Sequence, residues 1–177
     1  MLGLQDEIFA VVDENDQIIG QATRQDCHSD RNLIHRSVHI IITNSAEEIF
    51  FQKRSLTKDV SPGQWTLSAT GHVDLGETYE QAAERELFEE LGIKTSLRTL
   101  GSFLLDYSRE QEFTRVFTGH HEGPFTLLET EISEGRFLAW EKMLALHHAG
   151  ELKLARPAID IMALAKDDLY VRHTKDR

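Results

Sequence analysis

Apolar positions in this chain follow two spacings, one alternating or continuous over short runs and one helical, and they predict strands and helices in turn. Ile8–Val12 and residues 17–21 are short apolar runs separated by Asp13-Glu14-Asn15-Asp16, which predicts a hairpin with a polar turn. Residues 24–36 read as polar and irregular. The run 38–43, VHIIIT, is continuously apolar and β-branched, the pattern of a central strand covered on both faces. Asn44-Ser45 turns it and Ile49–Arg54 returns. Ser61-Pro62-Gly63 breaks the chain before a strand over 65–70. Strands are expected at 97–105, 113–119 and 135–140, with a polar loop at 106–111 and a turn at 120–124. A short helix over 141–148 follows, and Pro157 at a first helical position opens a closing helix through 158–165. Residues 172–177 read as a frayed end. No repeat or linker interrupts the pattern, so a single domain over 1–177 is expected.

The helical spacing is strongest over 78–91, which contains no Pro or Gly and, after Thr78, no β-branched residue. Thr78 has the position of an N-cap with Gln81 three residues on, and Gly92 stands where a left-handed residue ends a helix. Ala83, Leu87 and Leu91 form the stripe that packs on a core. Glu86, Glu89 and Glu90 share another face, where like charges at this spacing destabilise an isolated helix. With Glu77 just before the first turn, these carboxylates are hard oxygen ligands suited to Mg²⁺ or Mn²⁺. Arg85, one turn before Glu89, is placed to pair with a carboxylate.

Composition narrows the class. With 40% hydrophobic and 28% charged residues, the 177-residue chain reads as soluble and globular. It has no apolar run near the ~18 residues of a membrane span, and its first residues lack a signal-peptide pattern. Cys27 is the only cysteine, so no internal disulfide forms and a reducing cytoplasm is the expectation. A net charge of −11 argues against a general nucleic-acid binder and leaves a small phosphorylated ligand open. The chain is expected to act as a monomer or homodimer.

Gly71, five residues, Glu77, seven residues, Arg85-Glu86-Leu87, one residue, Glu89-Glu90, one residue, Gly92-Ile93 resembles the complete signature of the Nudix hydrolase superfamily. The resemblance implies an α/β fold, an α/β/α sandwich around a mixed β-sheet, with a loop–helix–loop metal site. It also implies chemistry on a diphosphate linked to another group.

Outside the signature the chain is similar to the isopentenyl diphosphate isomerase branch of that fold. The matching residues are His28 and His35, Asn44, Lys53-Arg54-Ser55 with Lys58, Pro62-Gly63-x-Trp65-Thr66, Gly71-His72, and Glu110-x-Glu112 followed by Val116-Phe117. Carried over by position, the resemblance implies a second divalent-metal site of His28, His35, His72, Glu110 and Glu112, a donor set suited to Zn²⁺ or Mn²⁺. His39, inside a strand, has no such match and reads as a bystander, as do His120, His121, His147 and His148. Lys53, Arg54 and Lys58 are the expected diphosphate-binding cations, with Arg85. The chain departs from the isomerases at Thr70, where that family has its acid cysteine, and at Arg156-Pro157-Ala158, where no tryptophan stands. A hydroxyl is a very poor acid toward carbon. The expectation is therefore a metal-dependent hydrolase of a nucleoside or isoprenoid diphosphate, with Glu86, Glu89, Glu90 and Glu112 catalytic. The alternatives are an isomerase working without the cysteine and a non-catalytic diphosphate sensor.

Overall fold

Strand β3, His35–Thr43, is the axis of a nine-stranded mixed sheet in the computed structural model, which describes residues 7–171. It pairs in parallel with β8, Gln111–His120, along its whole length. Its other edge takes β6, Ala69–His72, in antiparallel register, with Ser37 opposite His72 and His39 opposite Thr70. The remaining strands are β1, Ile8–Val12, β2, Ile18–Thr23, β4, Ile49–Arg54, β5, Trp65–Thr66, β7, Arg98–Asp106, and β9, Ile132–Leu138. Four helices complete the described chain: α1, Arg24–Cys27, α2, Tyr79–Leu91, α3, Trp140–His148, and α4, Arg156–Val171. The expected frayed end at 172–177 lies outside the described residues.

Both faces of the sheet are covered, which is why β3 reads as nearly unbroken hydrophobic sequence. Val38, Ile40 and Ile42 pack with Ala82, Ala83, Leu87 and Leu91 of α2. Ile41, facing the other way, packs with Phe51, Leu67 and Val116 against Met143 of α3 and Ile161 and Met162 of α4. The result is the expected α/β/α sandwich. No helix among the described residues is long and apolar enough to cross a membrane.

The signature helix forms as its local chemistry dictates. Thr78 accepts from the Gln81 backbone N–H while the Gln81 side chain accepts from the Thr78 N–H, a complete capping box. Gly92, at φ 68°, closes the other end in the left-handed region that favours glycine. Beyond it, a strap of chain crosses the helix terminus, and the N–H groups of Thr126 and Leu128 donate to the carbonyls of Leu91 and Glu90 at 2.9 and 3.0 Å.

Three expectations change. Residues 24–36 are not wholly irregular: Thr23 caps the short α1, and β3 starts at His35, three residues before the apolar run. The strand expected over 65–70 is broken at Leu67-Ser68, because the chain changes partners there, from β4 to β3. The Ser68 hydroxyl fills the break, donating to Phe50 O at 2.6 Å and accepting from Ile42 N at 2.7 Å. The last strand is β9 at Ile132–Leu138, so Trp140 belongs to α3.

The capping box is the test of this local account. Thr78→Ala is expected to destabilise the protein by about 1 kcal/mol, the usual loss for a side-chain N-cap, read as a lowered urea midpoint with an unchanged slope.

Candidate active site and metal centres

A cleft of about 450 Å³ opens where the end of β6 meets α2 and the start of α4. Its wall carries Glu86, Glu89 and Glu90 from the signature helix, His28 and His72, Glu110 and Glu112, and the cations Arg24, Arg54 and Lys58.

The alternation of β6 decides which side chain goes where. Gly71 faces α2, and a Cβ added there would come within 2.1 Å of the Glu86 carboxyl. The glycine is therefore required for close approach of that carboxylate to the strand. Thr70 and His72 face the opposite side, toward His39 and Ser37. Glu90 is 4% exposed, and its Oε2 accepts from Gln52 Nε2 at 2.8 Å and from Thr70 N at 3.1 Å. Burial, reinforced by the charge of Glu86, lifts its carboxyl to about 8. Burial also lifts Glu86 to about 7, against the pull of Arg85. Buried, mutually repelling carboxylates are the state that a bound divalent cation relieves.

Arg85 is more fully occupied than the sequence suggests. It pairs with both oxygens of Glu77, at 3.0 and 2.9 Å, with Glu86 at 2.6 Å, with Glu89 at 3.4 Å and with the carbonyl of His72 at 3.0 Å. Glu77 also accepts from Asp74 N at 3.1 Å and stands outside the cleft wall, anchoring Arg85. Lys53 is outside the wall as well, because alternation along β4 puts Arg54 on the side of Gln52, which reaches Glu90, and Lys53 on the other. Lys58 is in the wall and paired with Glu131. Arg54 is in the wall, its Nε bonded to Val60 O at 2.9 Å.

The five residues of the second constellation converge although they come from α1's C-cap, β3, β6, the β7–β8 turn and β8. The His28, His35 and His72 rings have centroids 4.9 to 5.2 Å apart, and candidate ligand atoms of these three lie within 4.8 Å of one another. His35, Glu110 and Glu112 form a second such set. His28 Nε2 and His72 Nε2 are 3.1 Å apart, and His35 Nε2 is buried without a partner. Glu112 stands 3.9 Å from His35 and 4.0 Å from His72, and Glu110 stands 3.6 Å from His28. Parallel pairing of β3 with β8 sets His35 opposite Glu112, and Ser37 Oγ fixes that carboxylate at 2.7 Å.

Phe9 of β1 stacks beneath the imidazoles, 4.7 Å from the His72 ring and 5.5 Å from that of His35. Burial holds His28 and His35 down to about 4 and His72 well below its ordinary value, so all three imidazoles are neutral at pH 7. Burial, with the charge of Glu112, lifts Glu110 to about 7. An orphaned ring nitrogen, neutral imidazoles and adjacent carboxylates fit a divalent transition metal.

Sequence reasoning missed four residues of this region. Arg24, bonded to Glu7 at 3.1 Å, lines the cleft, as do Tyr107 and His39; Phe9 floors the imidazoles. Their signals are non-local, arising only from strand register and hairpin docking.

Fold and site together define an α/β/α domain with clustered carboxylates, imidazoles and several cations in one cleft. The NUDIX domain model matches residues 33–159, and the chain belongs to the Nudix family. It is 40% identical over 162 residues to an uncharacterised Nudix hydrolase of Pseudomonas aeruginosa, covering 91% of this chain and 94% of that one. It is 34% identical over 146 residues to isopentenyl-diphosphate Delta-isomerase 2 of Photorhabdus laumondii, covering 80% of this chain and 82% of the relative. A crystal structure of a Deinococcus radiodurans protein superposes with a TM-score of 0.77 at 29% identity, covering 89% of this chain and 98% of that one.

The buried groups set the pH dependence of the metal-free protein. Unfolding frees His28 and His35 to take up protons near 6.5, which they resist until about 4 when folded. Their stability contribution is therefore full above 6.5 and lost as pH falls toward 4. Glu90 has the opposite sign: raised from 4.5 to about 8, it costs stability as pH rises through that window. Thermal melts in EDTA are expected to fall on both sides of an optimum. Divalent metal is expected to raise the melt most on the alkaline side, where the carboxylates are charged.

Proposed function

We propose that the protein is a metal-dependent hydrolase cleaving a diphosphate joined to an organic group, a nucleoside or isoprenoid diphosphate. The observation that carries the reading is the meeting, in one cleft, of part-buried Glu86 and buried Glu90 with Arg24, Arg54 and Lys58. In this reading Glu86, Glu89 and Glu90 hold Mg²⁺ or Mn²⁺, and His28, His35, His72, Glu110 and Glu112 hold a second ion, Zn²⁺ or Mn²⁺. Bound metal supplies charge neutralisation on the phosphates and an acidified water. Arg54 and Lys58, with Arg24 beside them, bind the phosphate oxygens, and Arg85 keeps Glu77, Glu86 and Glu89 in position. Glu89, the most open of the three helix carboxylates at 52% exposure, takes the proton of water as its oxygen attacks phosphorus and the bridging P–O bond breaks. Glu112, fixed by Ser37, is the carboxylate next to the imidazoles.

Isomerisation is the second reading, favoured by the convergence of the five ligands and by the Photorhabdus relative. Against it, Thr70 stands in the cleft where an acid is needed, and the first turn of α4 contributes Arg156 and Pro157 to the wall rather than an aromatic ring.

Two measurements test this. Glu89→Gln and Glu90→Gln are each expected to lower kcat by about 10²–10⁴ with the fold retained, as removal of a base or metal ligand does. Unchanged turnover in both, with metal still required, would take the helix out of the mechanism. Incubation of isopentenyl diphosphate in D₂O with divalent metal is expected to give no deuterium in the carbon skeleton by NMR. Its appearance there would establish protonation at carbon and overturn the hydrolase-only reading.

A further inference from the structure

Every lysine and arginine that the described residues bring to the cleft wall already has a protein partner. Arg85 and Arg156 are held by carboxylates, and Arg24 lies between Glu7 and Asp59, at 3.1 and 3.7 Å. Arg54 gives its Nε to Val60 O at 2.9 Å, and the Lys58 ammonium is paired with the Glu131 carboxylate. The wall as a whole is acidic, with eight carboxyl groups against these five cations. A diphosphate entering it meets no uncommitted ammonium and a surplus of like charge.

The Lys58–Glu131 pair is built into the fold from both sides. Glu131 closes the turn before β9: its N–H donates to Leu128 O at 2.8 Å and its carbonyl accepts from Ser55 N at 2.8 Å. Lys58 stands three residues beyond Ser55, and its own N–H donates to Ser55 O at 3.3 Å. Thr57 Oγ1 adds a bond to Thr130 O at 3.4 Å. The backbones that carry the two side chains are thus tied to each other, and the paired groups are 15% and 25% exposed. Screening by salt is weakened at such a site, and the fixed backbones favour the meeting of the two charges. An ammonium has three donors, so geometry alone would let a phosphate oxygen join Glu131 on Lys58. One positive charge does not offset both a carboxylate and a diphosphate, and Glu86, Glu89 and Glu90 in the same cleft add to the repulsion.

We propose that Glu131 is a built-in competitor for the phosphate-binding lysine: an incoming diphosphate takes Lys58 by displacing the Glu131 carboxylate, and the pair re-forms when the ligand leaves. Glu131 thereby sets the affinity of the cleft without itself holding the ligand. The inference rests on the diphosphate reading of the cleft and adds to it a residue that lowers the affinity of that site. The penalty falls equally on substrate and on any product that keeps a phosphate on Lys58, so the pair opposes product inhibition.

Calorimetry in Mg²⁺ with methylenediphosphonate, a diphosphate mimic whose P–C–P bridge is not hydrolysed, tests this on the wild type, Glu131→Gln, Lys58→Met and the double variant. Glutamine keeps the length of the side chain and an acceptor oxygen and removes only the charge. Glu131→Gln is expected to bind about tenfold more tightly, the scale of a charge-assisted hydrogen bond that no longer has to be broken. In the Lys58→Met background the same change should gain no more than about threefold, the part that is plain repulsion. Glu134→Gln, which removes an equal charge from β9 outside the wall, should leave the affinity within about twofold of the wild type. A purely structural role for Glu131 has the opposite sign, since loosening this rim would weaken binding. The assignment is overturned if Glu131→Gln binds equally or more weakly, if its gain is as large without Lys58, or if none of the proteins binds the diphosphonate. Tighter binding by Glu131→Gln with no cleavage of any nucleoside or isoprenoid diphosphate supplied would defeat the hydrolase reading and leave the exchange standing. Cleavage by the wild type, with the affinity of Glu131→Gln unchanged, would do the reverse.

Discussion

The guanidinium of Arg85 meets Glu77, Glu86, Glu89 and the His72 carbonyl, with Asp74 at 3.9 Å, and the working shape of the signature segment depends on that sharing. A helix with carboxylates at this spacing repels itself, and the loop before it adds Asp74 and Glu77 to the same neighbourhood. One cation with five donors offsets much of this charge and ties the loop to the helix in a fixed geometry. A lysine, with a point charge and no planar fork, could not span the same set. In the proposed mechanism a divalent ion would share Glu86 and Glu89 with this guanidinium, so Arg85 would set where those carboxylates stand.

The two groups of candidate ligands are arranged back to back across one short strand. Gly71 admits Glu86 on the α2 side, and His72, the next residue, joins His28 and His35 on the other. Period-two alternation therefore brings a carboxylate centre and an imidazole centre to the same end of β6 with no intervening loop. Burial has complementary effects on them, keeping the imidazoles neutral and the carboxyls hard to ionise. The first keeps one nitrogen of each ring free of a proton, and the second is costly to charge without a cation beside it.

What could be read from the chain beforehand divides along local and non-local lines. The bounds of α2, its capping box and its Gly92 stop depend on side chains a few residues apart, and these were visible in order. The same is true of β1 and β4, whose limits coincide with their apolar runs. The break at Leu67-Ser68 was not visible, since Trp65 through Thr70 looks like one strand until the chain is known to change partners. Nor could spacing reveal that Phe9 underlies His35 and His72, that Arg24 reaches the cleft, or that His39 borders it. The convergence of His28, His35, His72, Glu110 and Glu112 was anticipated by resemblance alone; its physical cause is the parallel β3–β8 register, which no local pattern encodes.

The strap over the end of α2 gives Glu90 a double attachment. Its carboxylate is tied inward to Gln52 and Thr70, while its own carbonyl holds Leu128 of the strap, and Leu128 and Glu131 form part of the cleft rim. The residue thus works like the pin of a hinge, with the interior charge on one side and the doorway on the other. One residue thereby spaces the interior carboxylate from the rim of the cleft.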